Sequence, residues 1–173
     1  MPRFANLAFG DDIDKYWNIH IFGRIHMKRL LTAALSLLAL SGAAVAEEMV
    51  TYSTEQSFDD VAFGLENAIL DEGLVIDSTS HVGAMLERTR EDVGSDVVLF
   101  EAADAYSFCS AKLSREVMEA DPMNIAYCPY DIFVARIAGS DETLIGYRAF
   151  PEGEMQKIQA LLDRIARNAI GLD

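Results

Sequence analysis

Positive charge is scarce in this sequence. Its 173 residues include 14 Lys and Arg against 28 Asp and Glu, a formal net charge of −14. A surface of that sign repels phosphates, which excludes nucleic acid and anionic membrane surfaces as partners. Cysteine is limited to Cys109 and Cys128, and no C-x-x-C unit occurs, so the paired-thiol patterns of zinc sites and thioredoxin-like proteins are absent. There is no G-x-S-x-G nucleophile elbow and no G-x-G-x-x-G after a strand, which rules out a Rossmann-type reading. The most apolar stretch, Leu30 to Leu40, has eleven residues and includes Thr32 and Ser36, well short of the roughly 20 that a spanning helix needs.

That run has a different meaning. Met27-Lys28-Arg29 is a basic n-region, Leu30 to Leu40 an apolar h-region, and Ser41 to Ala46 (SGAAVA) ends in the small-x-small pattern of a cleavage site. The reading is a secretory signal peptide over 27–46, cut between Ala46 and Glu47, and hence a periplasmic or secreted protein with no membrane span after cleavage. Residues 1–26 carry Asp11, Asp12, Asp14 and Trp17, a composition foreign to the front of an export signal. They are read as a misassigned start or a leader. The remaining 127 residues, 47–173, make one α+β domain. They hold 9 basic and 25 acidic residues, a net charge of −16, and a single histidine, His81. Acidity of this kind serves solubility first.

Periodicity orders the domain. VTYST from Val50 reads as a strand. Ser57, with Asp60 three residues on, caps a helix whose apolar stripe is Phe58, Val61, Leu65, Ala68 and Ile69, closed by Gly73. Leu74 to Ile76 open a second strand running to Ser80-His81. Met85 to Val93 reads as a weak helical turn or loop. Asp96 to Ala102 (DVVLFEA) reads as a buried strand, and Ser110 to Ala120 as a helix stopped by Asp121-Pro122. Asn124 to Ile137 reads as extended, broken by Pro129, which marks an edge or bulge; Phe133, Ala135 and Ile137 share a face. Gly139-Ser140-Asp141 turns the chain into Leu144 to Phe150. A last helix carries Met155, Ile158, Leu161, Leu162, Ile165 and Ala169 and ends at Gly171. The order β-α-β-β-α-β-β-α indicates a mostly antiparallel sheet of about five strands with helices on one face.

VTYST, the Phe58–Leu70 helix, Gly73, LVIDSTSH ending at His81, then DVVLF, the Ser110 to Ala120 helix, Asp121-Pro122, Cys128-Pro129-Tyr130 and the closing hairpin together resemble the domain of unknown function 302 (DUF 302) family over nearly all of residues 50–170. The resemblance implies a curved sheet like that of the TATA-binding protein with helices on one face. It implies no catalytic role, since the family's activity is not established. Many members have a Gly-Asn-Pro-like turn after the third strand; this chain has EAADAYSFC, Glu101 to Cys109, and looks like an exported branch with two added cysteines.

Few residues can carry chemistry. An even cysteine count in an oxidising compartment reads first as a disulfide. A Cys109–Cys128 bridge would close a loop of about 20 residues, roughly 3 kcal/mol in the chain-entropy model. The pair also has a reactive reading, because Cys109 stands where a helix begins and a helix N-terminus lowers a thiol's pKa. A third reading is a copper-type metal site of His81, Cys109 and Cys128 with Met118 or Met123, although the spacing is not diagnostic; a fourth is two free buried thiols. His81, at a strand end, reads as a hydrogen-bonded structural residue. It excludes mechanisms that need two histidines, and Ser78, Ser80 or Ser110 beside it make only a weak hydrolase. Tyr106, Phe108, Tyr127 and Tyr130 flank the cysteines, either as core or, with His81, as the lining of a ligand pocket. Acid pairs such as Asp59-Asp60, Asp71-Glu72 and Glu91-Asp92 read as solvated faces. No catalytic residue, resident metal or cofactor is expected. The functional readings are therefore a non-enzymatic binding or accessory module for a small molecule or protein, a thiol-redox or copper-handling protein, and a self-associating unit (a homodimer) whose open sheet face is covered by a second copy.

Overall fold

The computed structural model describes residues 49–172. The signal-peptide and leader readings therefore lie outside the described residues. One antiparallel sheet of five strands runs through the domain: β1 (Met49–Thr54), β2 (Ile76–Ser80), β3 (Phe100–Phe108), β4 (Tyr130–Ile137) and β5 (Thr143–Arg148), in the spatial order β1-β5-β4-β3-β2. Between them lie α1 (Phe58–Asp71), α2 (Val82–Thr89), α3 (Ala111–Ala120), a 3-10 turn (Pro122–Tyr127) and the final α4 (Gln156–Ala169). No helix among the described residues is long and apolar enough to cross a membrane.

Local chemistry sets the helix limits. The Ser57 hydroxyl accepts from the Asp60 amide at 3.1 Å, satisfying one of the orphan donors of the first turn. At the other end Gly73 adopts φ +74° while the Leu74 amide reaches back to the Ile69 carbonyl, the left-handed cap that glycine favours. Gly171, φ +76°, closes α4 in the same way. The stripes of α1 and α4 are buried as their spacing requires: Val61, Leu65 and Ile69 from one, Ile158, Leu162 and Ile165 from the other, all fully buried. They pack on Tyr106, Phe108, Tyr130, Ile132, Val134, Ile145 and Tyr147 of the sheet. Burying a side chain of that size contributes about 1.5–3 kcal/mol.

The third strand lies further along the chain than its apolar run suggests. Val97, Val98 and Leu99 are exposed, at 62%, 48% and 50%, and β3 begins at Phe100, opposite Ile137. The reason is the partner: β4 ends at Ile137 and the chain turns at Gly139, so past one bond from the Ala138 amide to the Leu99 carbonyl the earlier residues have no ladder to join. EAADAYSF, read above as a replacement for a family turn, is strand. It alternates large and small rather than apolar and polar, with Tyr106 and Phe108 toward the helices and Ala103, Ala105 and Ser107 on the other face. Met85 to Val93, read as a weak turn, contains most of a regular helix, α2, which lies against β3 beyond the end of β2. Residues 124–127, expected to be extended, belong to the 3-10 turn Pro122–Tyr127. Pro129 precedes β4 and leaves its ladder intact; β4 is the middle strand, not an edge.

Candidate functional site

Among the described residues, helices α1 and α4 cover one face of the sheet, and no such helix pair covers the other. Its floor is the second parity of each strand: Met49 and Thr51 of β1, Leu144 and Gly146 of β5, Phe133, Ala135 and Ile137 of β4, Ala103 and Ala105 of β3. Small residues on β3 and β5 make this floor a trough. A Cβ on Gly146 would stand 2.8 Å from the Phe133 ring and 2.5 Å from the Val50 carbonyl oxygen, so glycine is what leaves room for that ring. Val82, first residue of α2, forms one wall.

Two adjoining depressions share Met49, Val82, Ala105 and Phe133. One, about 360 Å³, is lined almost wholly by apolar side chains. The other, about 680 Å³, runs toward the start of β4 and is bounded by Tyr127, Cys128, Pro129, Phe150 and Arg148. Asp131 on this floor already accepts a hydrogen bond from the Ser107 hydroxyl. Tyr127 packs on Phe150 with ring centroids 5.7 Å apart, and Tyr130 meets the same ring edge-on at 6.1 Å.

The residues singled out from sequence divide between this site and elsewhere. Cys128, Tyr127 and Tyr130 border the larger depression. Tyr130 is otherwise core, 1% exposed, its hydroxyl 2.9 Å from that of Ser114. Tyr106 and Phe108 are buried on the helix side and cannot meet a ligand on the open face. Burial, and after it Asp104, pushes the Tyr106 phenol up to about 12. His81 is 68% exposed, with Nδ1 3.0 Å from Asp104 Oδ2, in a separate depression shared with Glu87 and Glu101. Met118 packs against the core and Met123 is exposed. Among the described residues no three His, Cys, Asp or Glu side chains cluster as metal ligands would.

Cys109 and Cys128 do meet. Cys109 follows the last residue of β3 and Cys128 comes two residues before the first of β4, where Phe108 and Tyr130 are paired; their Sγ atoms are 2.7 Å apart. Burial, then the neighbouring thiol, pushes Cys109 up to about 12. Desolvation of the charged form thus outweighs any help from the start of α3.

Sequence reasoning also passed over a polar cluster on the helix side. The hydroxyls of Tyr52 and Tyr147 both donate to Asp163 Oδ1, at 2.5 and 2.8 Å, and the Arg167 guanidinium lies 6.0 Å from the Tyr52 ring centroid. Accepting from Tyr52 makes Asp163 raise that phenol's pKa; Tyr147 is raised well beyond the ordinary range, chiefly by burial. No sequence signal marked Asp163, which is half-buried and lies off the apolar stripe of α4.

A five-stranded antiparallel sheet with helices packed on one face and a trough on the other defines an α+β domain. The chain belongs to the family called domain of unknown function DUF302, whose model matches residues 50–166. It is similar in fold to the crystal structure of an uncharacterized conserved DUF302 protein from Bacillus stearothermophilus, with a TM-score of 0.51 at 18% identity, covering 72% of this chain and 95% of that one. No curated protein matches the chain.

Proposed function

We propose that the domain is exported and acts outside the cytoplasm as a binding module, holding a small, neutral, largely apolar molecule against the open face of its sheet. The observation that carries this reading is the trough: contiguous apolar residues from β1, β5, β4 and β3, walled by Val82 and Tyr127, in depressions of about 360 and 680 Å³. Those volumes are in the range of small-molecule sites. Charge selects the occupant. A second copy would bring another domain of net charge −16 against the first, which opposes self-association, and an anionic ligand meets the same field. A thiol catalyst is disfavoured by the upward push on Cys109, since the thiolate is the nucleophile.

The test uses the exported protein with Nile red, a neutral apolar dye. Saturable binding of one dye per monomer, weakened at least tenfold in Phe133→Asp, is the expected result. Dye binding that ignores the Phe133 substitution would overturn the assignment of the face. Sedimentation as a dimer, with the dye excluded until the dimer is split, would hand the face to a second copy. N-terminal sequencing of the same material should begin at Glu47; a start at Met1 or Met27 would refute export by cleavage.

A further inference from the structure

We propose that Cys109 and Cys128 are joined in a disulfide that clamps the end wall of the trough, so that the bond's redox state sets how tightly the trough holds its ligand; the second half of this proposal rests on the binding reading above. The geometry is that of two side chains already brought together. The ends of β3 and β4 are held in register by the Phe108–Tyr130 pair, and the thiols just outside that pair face each other at 2.7 Å. A covalent bond between them needs only a small closing movement, not a rearrangement of the backbone.

What the bond would hold is the wall. Cys128 ends the 3-10 turn and is followed by Pro129 and Tyr130. Tyr127, one residue earlier, is packed on Phe150. Without the bridge, this segment is fixed to the body through the Asn124 side-chain amide on the Val117 carbonyl, the two aromatic contacts at Phe150, the Tyr130 hydroxyl at Ser114, the Phe108–Tyr130 pairing and the packing of Tyr127 and Cys128 on the core. Residues Met123 and Ile125 of the turn stand 71% and 61% exposed, so the turn itself buries little to keep it in place. With the bridge, Cys128 is tied to the end of β3, a strand laddered on both sides.

The chemistry is thiol–disulfide exchange with a disulfide-bearing oxidant of the export compartment. The thiolate of one cysteine attacks the oxidant's disulfide, forming a mixed disulfide and expelling one oxidant thiolate. The second cysteine then attacks the mixed disulfide and expels the other. The oxidant's disulfide is reduced to two thiols, which take up the protons given by Cys109 and Cys128. The exchange belongs to folding, while both thiols are still solvated. Once Cys109 is buried, its raised pKa makes it a poor attacking group.

The experiment has two independent readouts on the full chain purified from its exported location. Intact mass without reductant should be two hydrogen masses below the dithiol value, with no alkylation by iodoacetamide until reductant is added. Free, alkylatable thiols would overturn the bridge whether or not the trough binds anything. Nile red affinity should then fall at least threefold on reduction in the native protein and be unmoved by reductant in the Cys109→Ser, Cys128→Ser double variant. A bridge present by mass with dye affinity unchanged on reduction would refute the clamp and leave the binding reading standing. No dye binding in either redox state would remove the binding reading, and the clamp with it, and leave the bridge to the mass result.

Discussion

Gly64 of α1 and Ala169 of α4 meet backbone to backbone: a Cβ placed on Gly64 would lie 2.2 Å from the Ala169 carbonyl oxygen and 3.2 Å from its carbon. The two helices that cover the sheet cross at this point, and the absence of a side chain sets how close they come. Gly64→Ala gains about 1 kcal/mol in helix propensity, but the added methyl meets main chain, which cannot rotate away. The helices must part, loosening Leu65 and Ile69 against Leu162 and Ile165, and overpacking of this kind costs about 1–3 kcal/mol, occasionally more. Urea unfolding should show a lower midpoint at unchanged slope, a net loss of up to about 2 kcal/mol. Ala169→Gly should not restore it, because the opposing atom is a carbonyl.

What the sequence made legible follows from where its signals are strong. The stripes of α1 and α4, with Ser57, Gly73 and Gly171 at their ends, are periodic over four turns, and the structure buries every stripe residue but Phe58, which is half-buried. Gly64 carried no sign of its role, because a lone glycine inside a helical pattern looks the same whether or not another helix crosses it. In β3 the apolar run Val97–Leu99 pointed to the wrong residues: strand pairing depends on a partner, and none extends past Ile137. The candidate pocket divided for a reason of parity. Tyr106 and Phe108 are near Cys109 in sequence, but alternate residues of a strand face opposite ways. The open face thus received Ala105 and Ser107, whose small size gave no signal until Phe133 was seen beside them. His81 went to the edge with Asp104, away from the cysteines it was grouped with.

The Phe133–Gly146 pair predicts a separation of stability from binding. Gly146→Ala places a methyl 2.5 Å from the Val50 carbonyl oxygen and 2.8 Å from the Phe133 ring, so β1 or the ring must shift, at a cost of about 1–3 kcal/mol. Phe133→Ala removes a ring only partly buried and should cost less, about 1 kcal/mol, while taking away much of the trough floor. Thermal melts and Nile red titrations of both variants should therefore rank them in opposite orders. Gly146→Ala should be the less stable, and Phe133→Ala the weaker binder.

Alkaline unfolding should centre on buried phenols. In the folded domain Tyr106 is raised to about 12, first by burial and then by Asp104, whereas in the unfolded chain a tyrosine titrates near 10. A raised folded pKa means that the native state keeps the proton that the unfolded state gives up. The associated stability is complete below about pH 10 and is lost as pH rises toward 12. The rise at Tyr106 is worth about 3 kcal/mol at most, and Tyr147 and Tyr130, raised by burial as well, add to the same fall. Urea midpoints should be flat from pH 8 to 9.5 and drop steeply above 10. Tyr106→Phe should be less stable or equal at pH 8 yet show a shallower fall.

Salt should stabilise this domain, although many surface ion pairs work in the other direction. Arg164 pairs with Glu72 at 3.0 Å, Arg115 with Glu119 at 2.7 Å, and Lys157 with both Glu116 and Glu154. Exposed pairs of that kind contribute little and weaken as salt screens them. Against them stands a net charge of −16 over residues 47–173, whose self-repulsion is also screened, and which many more charge pairs share. With nine cations among 25 anions, repulsion dominates the sum. Raising chloride salt from about 0.02 to 0.5 M, which shortens the Debye length several-fold, should lift Tm by several degrees. Sodium and choline chloride at equal ionic strength should give the same rise, since screening depends on charge and not on the ion. A rise with sodium alone would mean that a cation binds at a specific site and that screening is not the cause.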